Sequence, residues 1–294
     1  MPKYLFESVA ASIVFDQNKL LTLTAREAKN FGKLETATDT QVRSALSGLK
    51  DSSHYPRFRE RNLQITRRLI HESVKPDSYV IQAANNIDDI DRAINMLSKR
   101  LREWYSLYFP EFSRTIESHV KFAELISKSR NELMKELGCT GTMGGDADSA
   151  DLAAMRNLAG SIVAQNRLRE SHEAYLDTVM GGLCPNLKAL VGVLIGAKLI
   201  ALAGSIEKLV KLPASTIQLL GAEKALFRHI KTGARCPRHG IIMQHPLISS
   251  AAQKEHGKRS RVLADKIAIA VKIDYYKGEF AGERMRRELE ARFR

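Results

Sequence analysis

The most regular pattern in the chain is a narrow apolar seam between residues 80 and 108. Its members recur at spacings of three and four, which is typical of one face of a helix. They are Val80, Ala83, Ile87, Ile90, Ile94, Leu97, Leu101, Trp104 and Tyr108. Charged side chains fill the positions between them. Because such a seam cannot be buried against its own helix, the pattern predicts a long helix packed on another helix.

A second seam later in the chain supplies the expected partner helix. Acidic residues at 146 to 151 suit a helix N-terminus, and helical spacing continues to about Met180. The seam consists of Leu152, Met155, Ala159, Ile162, Tyr175, Leu176 and Val179. Residues 114 to 137 predict one further helix, and the glycine-rich residues 138 to 145 a linker. The two long helices should therefore pair as an antiparallel coiled coil.

The ends of the chain have other patterns. Short β-prone runs at 4–6, 12–15 and 20–23, followed by helical patterns at 25–31 and 39–49, predict a small α/β module. Helical breaks at Gly181 and Gly182 separate packed helices over 187–202, 205–210 and 254–276. The predicted fold is mostly α, with an N-terminal α/β module (1–71), a coiled coil (72–182) and an all-helical C-terminal domain (183–294).

Charge and cysteine content narrow the class of protein. The net charge is +13, and residues 221–294 contribute nine of those charges, with 17 Lys and Arg against 8 Asp and Glu. An anionic partner is expected, and RNA, DNA and membrane surfaces all fit that charge. Three scattered cysteines indicate a reducing compartment. The apolar run from Leu187 is interrupted by Lys188 and Lys198, which favours a buried helix over a membrane span.

The segment from 221 to 248 is the strongest candidate for a binding site. It has five Lys or Arg residues against the single carboxylate of Glu223, and its glycines and prolines predict turns with exposed backbone N–H groups. Such groups beside arginine forks suit phosphate oxygens, although a solvated basic loop would have the same charge pattern. Cys236 and His239 lack the paired spacing of a structural zinc site, so no metal is expected.

The order of residues in this segment resembles the Nop domain found in core scaffold proteins of box C/D small ribonucleoproteins and in a related spliceosomal factor. The similarity lies in GAEKALFRH, KTGAR and HGII-QHPLI, and in LREWYSLYFPEF at the end of the first long helix. Cys236 stands where this family usually has proline. The resemblance implies an RNA-binding scaffold without catalytic residues or cofactor. Its partners would be a box C/D guide RNA, a ribosomal-protein-like kink-turn protein and the methyltransferase fibrillarin, which would dock on the N-terminal module.

Charge and resemblance together define the predicted site residues. Residues predicted to contact RNA are Lys224, Arg228, Lys231, Thr232, Arg235, Arg238, His239, Lys254, Lys258, Arg259 and Arg261. The surface for the kink-turn protein is expected at Ala222, Glu223 and Gln244, although Gln244 could equally cap a local turn. A homodimer is expected through the coiled coil, with a seam of Ile87, Ile90, Ile94, Leu97, Leu101, Trp104, Met155 and Ile162. A helical hairpin without a dimer is the alternative.

Two other functions are consistent with parts of the pattern. A dimeric helical regulator could bind DNA or RNA through its last basic helix, and the spliceosomal relative shares the Nop domain. A basic amphipathic helix could also lie on a membrane, but packing against the apolar helices explains its apolar face better. No membrane partner is therefore expected. The resemblance implies a cytoplasmic location in an archaeon and a nucleolar one in a eukaryote.

Overall fold

The structure is a computed structural model that describes residues 4–7, 12–16, 19–22, 35–36, 38–50 and 55–293. The chain divides into two compact units, Met1–Lys75 and Pro76–Arg294. This division lies four residues after the boundary predicted between residues 71 and 72. The boundary predicted at 182/183 lies inside the second unit, so the three-part division of the sequence stays a prediction.

The first unit contains a small sheet and two helices among its described residues. The strands are β1 (Tyr4–Glu7), β2 (Ser12–Asp16), β3 (Lys19–Thr22) and β4 (Glu35–Thr36). The sheet order is β3-β2-β1-β4; β2 pairs antiparallel with both β1 and β3, and β4 runs parallel to β1. Helices α1 (Asp39–Lys50) and α2 (Tyr55–Ser73) follow. The helix predicted over 25–31 lies outside the described residues.

The second unit is helical throughout its regular elements. Its first part contains α3 (Pro76–Tyr105), α4 (Pro110–Thr115), α5 (His119–Leu125), α6 (Arg130–Leu137) and α7 (Ser149–Leu183). Its second part contains α8 (Pro185–Val191), α9 (Val193–Ala203), α10 (Ile206–Lys211), α11 (Ala214–Leu219), α12 (Glu223–Thr232), a 3₁₀ helix (Ile241–Gln244), α13 (Pro246–Ser249), α14 (His256–Tyr275) and α15 (Gly282–Arg292). The mostly helical class is confirmed.

The two long helices, α3 and α7, pack against each other in opposite directions. Asp91 accepts a hydrogen bond from Arg169 at 2.7 Å, and Asn86 lies 2.7 Å from His172, so rising numbers on one helix meet falling numbers on the other. Six of the eight predicted seam residues are buried there within one chain: Ile87, Ile90, Ile94, Leu101, Met155 and Ile162. Leu97 is partly buried, whereas Trp104 is 37% exposed. Contact with a second copy would therefore need other side chains.

A buried carboxylate ties α14 to the start of α8. Asp274 accepts hydrogen bonds from the backbone N–H of Asn186 (3.0 Å) and Leu187 (2.9 Å) and from the Asn186 side chain (2.7 Å). Pro185 begins α8, so these are N–H groups of a first helical turn that have no partner within their own helix. The carboxylate satisfies them and fixes the end of α14 beside the end of α7.

Two expectations about helix boundaries are wrong. Residues 114 to 137 form parts of three short helices rather than one, because Ser118 caps α5 and Ser129 forms a capping box with Glu132 at the start of α6. The predicted break at Gly181 and Gly182 is absent, since α7 continues to Leu183. Pro185, which begins the next helix, is the effective boundary.

The apolar run from Leu187 is folded back on itself in the core. Helices α8 and α9 meet at a bend of 118°, and Lys198 extends from α9 to form a 2.6 Å ion pair with Asp88 of α3. Among the described helices, no single one is long and apolar enough to cross a membrane; α8 and α9 meet that test only together, as a bent pair.

Replacing Asp274 with alanine should destabilise the protein. Three buried donors would lose their acceptor, which corresponds to a loss of about 3 kcal/mol in the free energy of unfolding. Asp265→Ala, at an exposed position of the same helix, is the matched control and should change stability by less than about 0.5 kcal/mol. Urea unfolding followed by circular dichroism measures both, and equal values for the two variants would contradict the role of Asp274.

Candidate nucleic-acid interface

The basic segment begins with α12, a helix that lies on the surface. None of its residues is buried, and Phe227 and Ile230 are 58% and 71% exposed. The Glu223 carboxylate accepts a hydrogen bond from the Gly221 N–H at 2.7 Å, and Gly233 ends the helix in the left-handed region with φ of 69°. The helix thus presents an apolar pair together with its cations. Sequence reasoning missed this pair, although its spacing of three on a basic helix was visible.

The loop after α12 is held close to α11. Gln218 donates a hydrogen bond from its side chain to the Arg238 carbonyl (2.6 Å) and accepts one on its own carbonyl from the Gly240 N–H (2.8 Å). A Cβ on Gly240 would lie 1.9 Å from the Leu220 carbonyl oxygen, so only glycine fits there. At the start of the loop, the His229 ring bonds to the Ala234 carbonyl. These contacts fix the backbone that carries Arg235 and Arg238.

A groove of about 510 Å³ opens beside this loop, and we call it the cationic groove. Its lining residues come from the loop, the 3₁₀ helix, the turn before α14 and the first residue of α14. They are Arg235, Cys236, Arg238, His239, Met243, Gln253, Lys254 and His256. Three of them are permanently cationic and none is a carboxylate. Within the described part of the chain, none of these three cations forms an ion pair, so each is available to an anion.

Two histidines meet inside the cationic groove. The rings of His239 and His256 are 5.8 Å apart in an edge-on arrangement. Burial lowers the pKa of His239, and the nearby His256 and Arg238 lower it further. His239 is therefore neutral at neutral pH in the free protein, where it can donate or accept a hydrogen bond. A bound anion would favour its protonated form.

The other predicted RNA contacts on α12 lie next to the groove's loop. Lys224, Arg228 and Lys231 are exposed, and the Lys231 ammonium lies 4.7 Å from the centre of the Phe227 ring. The Thr232 hydroxyl donates to the Arg228 carbonyl at 2.8 Å, which occupies its proton within the helix. This geometry leaves the three cations, rather than the threonine donor, as the chemically available groups of α12.

Of the three predicted RNA contacts on α14, two are exposed and one is directed inward. Lys258 and Arg261 are exposed. Arg259 turns inward: it pairs with Glu255 at 2.8 Å, donates to the Leu247 carbonyl at 3.1 Å and lies over the Phe293 ring at 5.1 Å. Its side chain is only 17% exposed. Arg259 thus holds α13, α14 and the C-terminus together.

The three residues predicted to meet the kink-turn protein lie near the two ends of the basic segment. Ala222 is half-buried just before α12, Glu223 begins that helix, and Gln244 is exposed at the end of the 3₁₀ helix. Their interface role stays a prediction. No group of three His, Cys, Asp or Glu residues suited to a metal ion occurs among the residues described, Cys236 and His239 included.

The fold and this surface define a class of protein: a mostly helical protein with a fixed cationic groove that is suited to an anion. Comparison with known proteins gives the family. The model of the Nop family, described as snoRNA binding domain, fibrillarin, matches residues 86–294. This chain therefore belongs to the Nop family.

Three relatives and one solved structure are similar to the chain. A NOP5 family protein of Methanocaldococcus jannaschii is 38% identical, over 82% of this chain and 63% of the relative. Nucleolar protein 56 of Homo sapiens is 36% identical over 74% and 40%, and nucleolar protein 58 of Candida glabrata is 35% identical over 90% and 56%. The crystal structure of a fibrillarin/Nop5p complex aligns with a TM-score of 0.49 and 28% identity, over 96% of this chain and 97% of that one. The chain thus spans less than two thirds of each of these three relatives.

Alanine at Arg259 should affect stability more than alanine at Arg261. Arg259→Ala removes a half-buried ion pair and a backbone hydrogen bond, for an expected loss of about 2 kcal/mol in the free energy of unfolding. Arg261→Ala removes an exposed side chain and should cost less than about 0.5 kcal/mol. Thermal unfolding by calorimetry compares the two, and an Arg261 variant as unstable as the Arg259 variant would contradict this assignment.

Proposed function

We propose that this chain is the RNA-binding scaffold of a box C/D ribonucleoprotein that guides ribose 2′-O-methylation. In this role the chain is non-catalytic, and the methyl transfer belongs to its partner fibrillarin. The observation that carries the proposal is the cationic groove, which holds three unpaired cations on a fixed backbone in a member of the Nop family. Location would follow the organism, cytoplasmic in an archaeon and nucleolar in a eukaryote.

The groove supports binding to RNA backbone in a fixed orientation. Arginine forks at positions 235 and 238 can each contact two phosphate oxygens, and Lys254 adds a point charge from the opposite wall. Because the loop is tied to Gln218, these groups need little ordering when RNA binds. Lys224, Arg228 and Lys231 would extend the phosphate contacts along α12.

The kink-turn protein is proposed to meet the surface formed by Ala222, Glu223 and Gln244. The exposed apolar pair on α12, Phe227 and Ile230, supports a composite surface, since such side chains gain free energy from contact with protein or with an unstacked base. A scaffold that joins RNA and protein in this way would recognise the RNA only after the kink-turn protein has shaped it.

The two remaining partners are proposed from the resemblance to Nop scaffold proteins. Fibrillarin would dock on the module of residues 1–71. A second copy would associate through the coiled coil of residues 72–182. Since most of the seam side chains are buried within one chain, the dimer would be formed by apolar groups of that region that stay exposed, such as the seam residue Trp104 and Leu107 outside the seam.

Replacing Arg235 and Arg238 together with alanine should abolish assembly on a preformed complex of kink-turn RNA and kink-turn protein. The salt dependence of any remaining binding should weaken by about two in the slope of log K against log salt, one for each phosphate contact. Gel-shift titration at several salt concentrations measures both. Arg92→Ala with Arg100→Ala, two exposed arginines of α3 with the same change in charge, is the control. An equal loss of assembly in both double variants would refute the role of the cationic groove. A preference of the chain for duplex DNA would favour a DNA-binding regulator.

Assembly on RNA should strengthen as the pH falls. The pKa of His239 is lowered in the free protein, and a phosphate beside it would raise the pKa in the complex, so RNA binding takes up a proton. Affinity should therefore rise as the pH falls from neutrality toward the lowered pKa of His239 in the free protein. His239→Gln should reduce this pH dependence, whereas His71→Gln, at an exposed position of α2, should leave it intact. Titrations with a constant buffer ionic strength test the prediction, which fails if the His239 variant keeps the full slope.

A further inference from the structure

The C-terminal end of α14 carries an exposed group of aromatic side chains that the proposed function does not use. Tyr275 and Tyr276 are 41% and 73% exposed, with their rings edge to face at 5.2 Å, and Phe280 in the following turn is 55% exposed. We call residues 275–280 the C-terminal corner. Exposed aromatic rings are the platforms on which proteins stack unpaired bases. Single exposed tyrosines occur on many protein surfaces, so the neighbouring residues determine whether this group is a binding site.

Lys277 in this corner has a backbone conformation that lysine adopts at a cost. Its φ is 53°, and it is the only described residue other than glycine with positive φ. The helix end has a normal hydrogen-bond pattern, in which Gly278 N–H bonds to Ile273 O (2.8 Å) and Lys277 N–H to Asp274 O (3.2 Å). That pattern places glycine at the left-handed position in most proteins.

Elsewhere in this chain, glycine occupies the left-handed position at helix ends. Gly138, Gly204 and Gly233 end α6, α9 and α12 with φ between 67° and 83°. At α14 the lysine takes this position although a glycine follows directly. Residues in such sparsely populated backbone conformations cluster at ligand-binding and active sites. The conformation points to a function for the Lys277 ammonium group.

One exposed face of α14 connects the cationic groove to the C-terminal corner. Its exposed side chains follow spacings of three and four: Lys258, Arg261, Asp265, Ile269, Lys272 and Tyr276. Three are cations, and within the described residues none of these three is ion-paired. His256 and Lys254, at the other end, line the groove. A helix of 20 residues spans about 30 Å, which is the distance a bound strand would cover.

We propose that the C-terminal corner is a second RNA-binding site, which takes a single-stranded segment leaving the cationic groove along α14. A base stacks on Tyr276, and Lys272 and Lys277 contact the phosphates on either side. The inference rests on the proposed function, because the groove must hold the first part of the same RNA. Its occupant is RNA rather than a protein, since the corner is continuous with a cationic track. Within the C-terminal corner, Glu279 is the one carboxylate. The preceding Asp274 is buried against α8.

The test compares two RNAs on the full chain assembled with the kink-turn protein. One RNA ends at the kink-turn, and the other carries an oligouridine tail of about 4 to 16 nucleotides. Wild-type protein should bind the tailed RNA about tenfold more tightly, which is within the range measured for stacking of one or two bases. Tyr276→Ala should lose this gain and Tyr276→Phe should keep it. Tyr79→Ala, at an exposed tyrosine of α3, is the matched control and should also keep it.

The Lys277→Gly variant distinguishes an effect on RNA binding from an effect on protein stability. Glycine relieves the backbone strain, so the melting temperature should stay the same or rise, while the gain from the tail should fall several-fold with the loss of a phosphate contact. A tail that adds nothing in the wild-type protein would overturn the inference, as would full tail-dependent gain in both Tyr276→Ala and Lys277→Gly. The RNA without a tail reports on the cationic groove alone. Failure to bind it would overturn the proposed function, whereas normal binding of it with no effect of the tail would overturn only the second site.

Discussion

The antiparallel packing of α3 against α7 is the interaction on which the second unit depends. The two helices run through both of its apolar cores: one holds Val80, Ile87 and Leu176 with α8 to α11 and α13 to α15, and the other holds Leu101 and Ile162 with α4 to α6. Burial of a large aliphatic side chain contributes about 1.5 to 3 kcal/mol, so this seam outweighs the exposed ion pairs around it. The polar contacts at Asp91 and Asn86 lie where the two cores meet, and they suit a role in setting register rather than in stability.

This packing also gives the cationic groove a rigid support. Lys198 ties α9 to α3, and Asp274 ties α14 to α8, so the helix that forms one wall of the groove is anchored at its far end. The loop that forms the other wall is anchored through Gln218 and Gly240. A surface held in this way can select among RNA shapes, because its backbone is already fixed before binding. A flexible loop would instead lose conformational entropy on binding RNA of any shape. Helix α12 is not anchored in this way, since none of its residues is buried.

Hydrophobic periodicity predicted the elements whose packing depends on burial. It failed where local polar contacts set the helix boundaries. The seams of α3 and α7, three of the four described strands (β1 to β3) and the basic character of 221–248 were visible in the sequence. The division at Ser118 and Ser129 was missed because apolar spacing continues across both caps. Arg259 was predicted as an RNA contact from charge alone, whereas the structure pairs it with Glu255: it lies four and eight residues before Leu263 and Ile267, on the buried face of α14. The cationic groove itself could not be predicted, since His256 and Gln253 reach it from a separate segment.

The charge in and beside the groove does not by itself explain selectivity in the proposed RNA binding. Binding that loses three to five orders of magnitude between low and moderate salt involves about 6 to 10 phosphate contacts, and the three permanent cations of the groove together with the three of α12 reach the lower end of that range. Six exposed cations can hold RNA, but phosphate contacts carry no sequence information. Selectivity must then come from shape and from neutral contacts. The exposed Phe227 and Ile230 and the uncharged His239 are the groups positioned to supply them. A surface built in this way discriminates best when another protein has already fixed the fold of the RNA, because only then do the phosphates and the apolar pair meet their partners together.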